Sequence, residues 1–88
     1  MTTFLAHFVQ PNFATFDYDG EERHLVEAED IKSAWDFCKL MEPGIIEKNR
    51  WDASAGLLAV RKIGHGHSKR LRHHLPVHDL NGEQLKGS

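Results

Sequence analysis

The strongest constraint on the fold is an apolar segment near the N-terminus, residues 3–9, in which both alternating sets of side chains are suited to burial. One set is Phe4, Ala6 and Phe8, and the other is Leu5, His7 and Val9. Successive side chains of a β-strand point to opposite faces of the sheet, so this pattern predicts a central strand covered on both sides. A chain of 88 residues can bury one small core, and we therefore expect one α+β domain built around this strand.

Turn-forming residues divide the segment that follows. Gln10-Pro11-Asn12 predicts the end of the first strand, because proline cannot donate a hydrogen bond to the sheet. A second strand is predicted over residues 13–18, and Asp19-Gly20 is typical of the tight turn of a hairpin whose next strand covers residues 21–28. The first three strands are therefore expected to be antiparallel.

A helix is predicted over residues 30–41. Glu29 or Asp30 can cap its first turn, and Glu42-Pro43-Gly44 can end it. Its apolar arc consists of Ile31, Ala34, Trp35, Phe37, Cys38 and Met41. Because apolar side chains at helical spacing mark the face that packs on a core, we expect this arc, Trp35 included, to lie on the sheet.

Two further strands are predicted, over residues 45–51 and 57–63. The expected order is βββαββ, a small antiparallel sheet with one helix packed on a face, within residues 1–63. Residues 64–88 lack a regular apolar pattern and are expected to form a basic C-terminal extension with a single helical turn over residues 68–74 and a turn at Asn81-Gly82.

The two halves of the chain carry opposite charge. Residues 1–47 contain three Lys or Arg against ten Asp or Glu, and residues 48–88 contain eight against three, so net charges of −7 and +5 give the overall −2. This asymmetry favours interaction with a charged macromolecule, or neutralisation of one half by the other. The small size favours a binding module over an enzyme, because a catalytic cleft needs walls that so little core can hardly supply.

The basic half supplies candidate residues for binding nucleic acid or another anion: Arg61, Lys62, Lys69, Arg70, Arg72, His73 and His74. From residue 61 onward there is no Phe, Tyr or Trp, so the aromatic platform of single-strand binders is absent from this segment. The alternative is a solvated or mobile tail, or one that folds back on the acidic half.

The acidic half supplies candidate residues for binding a protein partner: Asp17, Asp19, Glu21 and Glu22, around the predicted turn. Carboxylates at this density can imitate a phosphate array and occupy a basic channel of another protein. Trp51 beside Arg50 has the composition of an interface hot spot. The alternatives are a turn that charge keeps soluble, and a tryptophan packed in the core against Trp35.

Metal or covalent chemistry has little support. His65, His67, His73, His74 and His78 lack the accompanying cysteines or carboxylates of a zinc module, so no metal and no cofactor is expected. The single cysteine, Cys38, lies in the apolar helical arc and is expected to be a packed thiol. An RNA-cleaving site that pairs His73 or His74 with Arg70 and Arg72 is the third function that the residues allow. The lone cysteine and the lack of a membrane span or signal peptide predict a cytoplasmic protein.

The segments TFLAHFV, RHLVEAE and DIKSAWDFCKLM resemble the strand, strand, helix units of small phage and mobile-element proteins, including anti-CRISPR and other host-takeover inhibitors. The resemblance is architectural and covers residues 3–41. It implies a non-enzymatic protein that engages or inhibits a host complex of the nucleic-acid-handling kind. Direct nucleic-acid binding through residues 61–78 is the alternative, and a homodimer is compatible with either function.

Overall fold

The protein is a four-stranded mixed sheet with two helices, seen in a computed structural model that describes residues 1–80. The elements are β1 (Thr2–Asn12), β2 (Asp17–Ala28), α1 (Ile31–Asn49), β3 (Gly56–Lys62), α2 (His65–Leu71) and β4 (Val77–Asp79). The strand order is β3-β1-β2-β4, with β1 antiparallel to both neighbours and β2 parallel to β4. The α+β class is confirmed. The predicted βββαββ order, the purely antiparallel sheet and the single helix are wrong.

The central position predicted for the first strand is confirmed, because β1 lies between β2 and β3. Phe4, Ala6 and Phe8 belong to the core that α1 covers, together with Val26 and Ala28 of β2. We call this side of the sheet the covered face and the opposite side the open face. Leu5 and Val9 on the open face are also buried, at 5% exposure each, so the strand is apolar on both sides as its alternation predicts.

The chain turns between the two predicted positions, after Gln10-Pro11-Asn12 and before Asp19-Gly20. β1 continues through Pro11 to Asn12 with a register shift after Gln10, and the chain turns between Asn12 and Asp17. The Asn12 side chain accepts from the backbone N–H groups of Ala14 (3.0 Å) and Thr15 (3.3 Å), and this bonding pattern closes the turn. The predicted break at Gln10-Pro11-Asn12 is wrong because the bulge absorbs the missing proline donor.

Gly20 has a different role from the turn glycine that the sequence suggests. It lies inside β2, opposite Gln10, where a Cβ would sit 2.7 Å from Nε1 of Trp51. A side chain at this distance would clash, so the glycine lets the indole of Trp51 approach the strand backbone. The predicted strand over residues 13–18 and the turn at Asp19-Gly20 are therefore wrong.

α1 is longer than predicted because it passes through Pro43. Asp30 caps it as expected, accepting from the backbone N–H of Ser33 at 2.8 Å. The helix continues to Asn49 and ends at Arg50, which has φ 57°. Proline removes one helical hydrogen bond, but burial of Ile45 against the sheet keeps the following turn helical. The strand predicted over residues 45–51 is wrong for this reason.

The buried stripe of α1 is also rotated relative to the predicted arc. Ala34, Cys38 and Ile45 are buried, and Phe37 and Met41 pack against them. Trp35 and Ile31 remain 41% and 52% exposed, so the expectation that they lie on the sheet is wrong. Extension of the helix past Met41 brings Ile45 into the stripe, and this shifts its centre away from Trp35.

Residues of the predicted extension join the sheet. β3 forms where predicted, α2 begins three residues before the predicted turn at residue 68, and β4 then pairs with the edge of β2. The backbone N–H of Leu25 donates to the carbonyl of Pro76 at 2.8 Å, and Leu80 is buried in the core. The predicted turn at Asn81-Gly82 lies outside the described residues.

Candidate functional site

The four predicted acidic residues do not form one cluster, because strand alternation directs their side chains to different places. Glu22 lies on the covered face, within reach of Lys48 and His24. Glu21 lies on the open face, 3.7 Å from Nε2 of His7. Asp17 and Asp19 are exposed beside the turn, and Asp19 accepts from Nδ2 of Asn12 at 3.1 Å. Asp17 and Asp19 are therefore the two carboxylates beside the turn, and Glu21 is exposed on the open face.

Glu22 takes part in a chain of polar contacts between α1 and the sheet edge. Its carboxylate accepts from Nζ of Lys48 and lies 3.2 Å from Nε2 of His24. Nδ1 of His24 lies 3.0 Å from Nε2 of His78 on β4. The rings of Phe8 and Phe37 pack on the two imidazoles, with centroids 5.6 Å and 5.4 Å away. This chain joins three elements.

Burial and hydrogen bonding determine the charge states of His24 and Glu22. Burial lowers the pKa of His24, and the hydrogen bond and negative charge of Glu22 only partly oppose that effect. Burial alone would raise the pKa of Glu22, but the hydrogen bonds and charges of Lys48 and His24 outweigh it and lower that pKa. The arrangement is a neutral His24 beside an ionised Glu22. It stabilises the junction of β2, β4 and α1.

Trp51 is half-buried and packs on the core, with its indole against Gly20. Its backbone N–H donates to the carbonyl of Ile46 at 2.9 Å. The loop that follows is held by Gln10, whose amide donates to Asp52 (3.1 Å) and Ser54 (3.2 Å). Trp51 therefore contributes to the junction between α1 and the sheet, and the structure places it on the same side as the core residues.

The turn between β1 and β2 exposes aromatic side chains that the sequence analysis assigned to a strand. Phe13 is 72% exposed, Phe16 is 94% exposed and Tyr18 is 40% exposed. Asp17 and Asp19 flank them. We call these five residues the hairpin end.

The backbone of the hairpin end is held in place by local bonds. Asn12 accepts from two turn amides, and Tyr18 N–H donates to Oδ1 of Asp17 at 2.8 Å. Phe16 has φ 55°, in the left-handed region that favours glycine. This backbone conformation is unfavourable for a bulky residue, and the exposed side chain of Phe16 makes no packing contacts within residues 1–80 that would offset the cost.

The predicted basic residues are divided among β3, α2 and the turn that follows α2. Arg61 and Lys62 end β3, whereas Lys69 and Arg70 lie on α2; all four are exposed, and none makes an ion pair with any residue that the structure describes. Arg72 differs, because its guanidinium donates to Glu27 and to Oγ1 of Thr3 (3.4 Å).

His73 and His74 lie in the turn after α2, where their backbone N–H groups donate to the carbonyls of Arg70 (3.4 Å) and Leu71 (2.9 Å). The Arg72 guanidinium beside them already bonds Glu27. The structure places both imidazoles on the exposed surface, and RNA cleavage by them stays a prediction.

The open face contains a pocket that no sequence motif marks. It is lined by Leu5, His7, Arg23, Ala59 and Arg61, which come from three adjacent strands. Arg23 is exposed and has no ion-pair partner among residues 1–80. The pairing of β2 with β1 and of β1 with β3 brings the two arginines to opposite sides of one strand.

Three other observations concern residues 1–80. Burial raises the pKa of the Cys38 thiol to about 11, so Cys38 is a packed thiol as predicted. Across residues 1–80 no group of three or more His, Cys, Asp or Glu side chains is placed to hold a metal ion. No helix in that part of the chain has the length and apolarity needed to cross a bilayer.

No family model, no curated protein and no solved structure matches this chain, so functional inference rests on its own geometry. That geometry adds Phe13, Phe16, His7 and Arg23 to the candidate residues. The two phenylalanines were missed because a strand over residues 13–18 would have buried one of them. Arg23 and His7 were missed because only the register places them beside Arg61.

Proposed function

We propose that this protein is a non-enzymatic binding protein that engages, and by occupancy inhibits, a macromolecular host complex of the nucleic-acid-handling kind. The observation that carries the proposal is the hairpin end, where Phe13 and Phe16 are 72% and 94% exposed. This is the mode of action that the architectural resemblance to host-takeover inhibitors implies.

The exposed aromatic rings support a protein partner. Isolated exposed apolar residues are ordinary, but here Phe13 and Tyr18 line one surface pocket and the exposed Phe16 lies between them in the chain. Aromatic side chains dominate the energetics of interfaces because they bury a large area with few rotatable bonds. Phe16 has no packing role within residues 1–80 that would explain its conformation.

The charges at the same place define the chemistry of the partner surface. Asp17 and Asp19 are exposed, and neither forms an ion pair with another described residue. A patch of aromatic rings bordered by carboxylates complements a groove that has an apolar floor and a basic rim. Channels that bind nucleic acid have such basic rims, and this supports the nucleic-acid-handling class of partner.

The local bonding of the turn supports tight binding. Asn12 and Asp17 hold the turn amides before any partner arrives. A surface that is already ordered loses less conformational entropy on association than a mobile loop does. The hairpin end is therefore suited to insertion into a preformed groove.

The test uses the full chain immobilised and exposed to host lysate, with captured proteins identified by mass spectrometry. We expect Phe13→Ser/Phe16→Ser and Asp17→Lys/Asp19→Lys each to lose the partner that the wild-type chain captures. We expect the affinity to fall at least about tenfold, because a hot-spot aromatic side chain commonly contributes about 2 kcal/mol or more to the binding free energy. A purified partner should then be inhibited at a one-to-one ratio by the wild type only.

Leu40→Ser is the matched control, because Leu40 is apolar and 81% exposed but lies on α1. It should capture the partner as the wild type does. Circular dichroism must show that all variants remain folded. Equal capture by the folded Phe13→Ser/Phe16→Ser variant would refute a role for the hairpin end.

Direct nucleic-acid binding through residues 61–78 is the second candidate. It is supported by the exposure of Arg61, Lys62, Lys69 and Arg70, none of which pairs with a carboxylate among residues 1–80. Binding of this kind would weaken steeply as salt rises, because the cations displace counterions from the phosphate backbone. Arg72 differs from these four residues, because its ion pair with Glu27 holds the end of α2 to the sheet.

A further inference from the structure

We infer that the open-face pocket between Arg23 and Arg61 is a binding site for a phosphate group. The pocket lies on the opposite face of the sheet from α1 and involves none of the residues of the hairpin end. The inference therefore goes beyond the proposed function and does not depend on it.

The strand register sets the spacing of the two guanidinium groups. His7 of β1 pairs with Arg23, and Leu5 of β1 pairs with Arg61. Two strand spacings and a two-residue offset place the two arginine Cα atoms about 12 Å apart. Both side chains line one pocket above β1, so their long stems can bring both cationic groups to one ligand from opposite sides.

The remaining walls of the pocket suit an anion. Leu5 is 5% exposed and forms an apolar floor, and Ala59 leaves room above β1 because its side chain is a single methyl group. An apolar floor lowers the local dielectric constant and strengthens the attraction between an anion and the arginines. Planar guanidinium groups donate two parallel hydrogen bonds to phosphate oxygens.

His7 supplies an independent observation that points to a ligand. Its Nε2 atom is buried and has no hydrogen-bond partner within residues 1–80. The closest approach of a carboxylate to it is the 3.7 Å contact with Glu21, which is too long for a hydrogen bond. A buried ring nitrogen without a partner is unfavourable, and rotation of the His7 ring toward the pocket that it lines would let Nε2 donate to a phosphate oxygen.

The charge balance favours a doubly charged oxyanion over a carboxylate. Arg23 and Arg61 make no ion pair with the described part of the chain, and two cations match the charge of a phosphate monoester. Glu21 is the only opposing charge in contact with a lining residue among the ion pairs of residues 1–80. Its removal should therefore strengthen binding.

The experiment follows backbone and side-chain resonances of the full chain by NMR during titration with inorganic phosphate. We expect saturable shifts at His7, Arg23 and Arg61. Arg23→Gln and Arg61→Gln should each weaken the affinity about tenfold or more, because each removes charged hydrogen bonds. His7→Phe should weaken it less, and Glu21→Gln should strengthen it.

Arg50→Gln is the matched control, because it removes the same charge from an exposed arginine at the end of α1, outside the basic residues 61–78. It should leave the phosphate affinity unchanged. Arg23→Lys should bind more weakly than the wild type but more tightly than Arg23→Gln, since lysine keeps the charge without the planar fork. These exposed substitutions should leave the fold intact, and circular dichroism checks this.

Two further ligands distinguish the source of the phosphate. A mononucleotide and a single-stranded oligonucleotide are titrated against the wild type and the Arg23→Gln/Arg61→Gln variant. Tighter binding of the oligonucleotide that depends on both arginines identifies a backbone phosphate, and tighter binding of the mononucleotide identifies a free phosphate monoester. Wild-type affinity for inorganic phosphate in the double variant, or an unmoved His7 resonance at saturation, would overturn the inference. Capture of the protein partner should be unaffected by the double variant.

Discussion

Glu22 and Arg23 are neighbours on β2, yet they show how differently the two faces of the sheet use charge. Glu22 on the covered face is bonded to Lys48 and His24, so its charge is balanced within the fold. Arg23 on the open face makes no ion pair with the described residues. The charge on the covered face has a structural role, whereas that on the open face is available to a ligand. Alternation of side chains along one strand is enough to separate these roles.

The same contrast applies to the aromatic side chains. Phe8 is completely buried beneath α1, whereas Phe16 is 94% exposed at the hairpin end. Buried rings stabilise the domain, and the exposed ring is available for a partner. Experiments that alter stability and binding separately can test this division.

The largest expected effect on stability is that of Phe8→Ala. Removal of a fully buried ring leaves a cavity in the covered face, and we expect a loss of about 3–5 kcal/mol in the free energy of unfolding. Trp35→Ala is the comparison. Trp35 lies on α1 and is 41% exposed, so its substitution should lower the free energy of unfolding clearly less. Urea denaturation measures both. Equal losses would show that α1 packs in a different rotation.

A smaller difference is expected between Glu22→Gln and Arg23→Gln. The first removes a charged partner of Lys48 and His24 and should cost about 1–2 kcal/mol. The second removes an unpaired exposed charge and should change stability by less than about 0.5 kcal/mol. Denaturation midpoints at neutral pH compare the two variants. A larger loss for Arg23→Gln would break the division between the faces.

The smallest effect is the pH dependence caused by His24. Burial lowers its pKa from the ordinary value of 6.5, so the unfolded chain binds this proton more readily than the folded chain. His24 therefore costs no stability above pH 6.5, and the domain loses stability as the pH falls from there towards the lower folded pKa. The negative charge of Glu22 raises the pKa of His24, whereas the positive charge of Lys48 lowers it. A charged His78 lowers it as well.

Thermal denaturation between neutral and mildly acidic pH measures this dependence. His24→Gln should flatten the curve relative to the wild type, and His67→Gln is the control because His67 is exposed on α2. A wild-type curve that His24→Gln leaves unchanged would show that the neutral form of His24 is not required.

The sequence predicted correctly those elements that depend on residues close to one another in the chain. The two apolar sets of residues 3–9 predicted a central strand, Glu29 or Asp30 predicted the start of α1, and residues 57–63 predicted β3. Each depends on strand alternation or on a bond between residues close in the chain. The exposed aromatic rings and the pocket arginines could not be found this way, because exposure and register depend on partners distant in sequence.

The sequence by itself therefore determined the α+β class, the central strand and the cap of α1. Tertiary structure alone decided that Gly20 accommodates Trp51, that Ile45 carries α1 past Pro43, and that β4 runs parallel to β2. A glycine or a proline has the same local preferences wherever it occurs, and packing against a distant residue selects among them. The same long-range pairing brought Arg23 and Arg61 to one pocket, which no spacing within the sequence could have indicated.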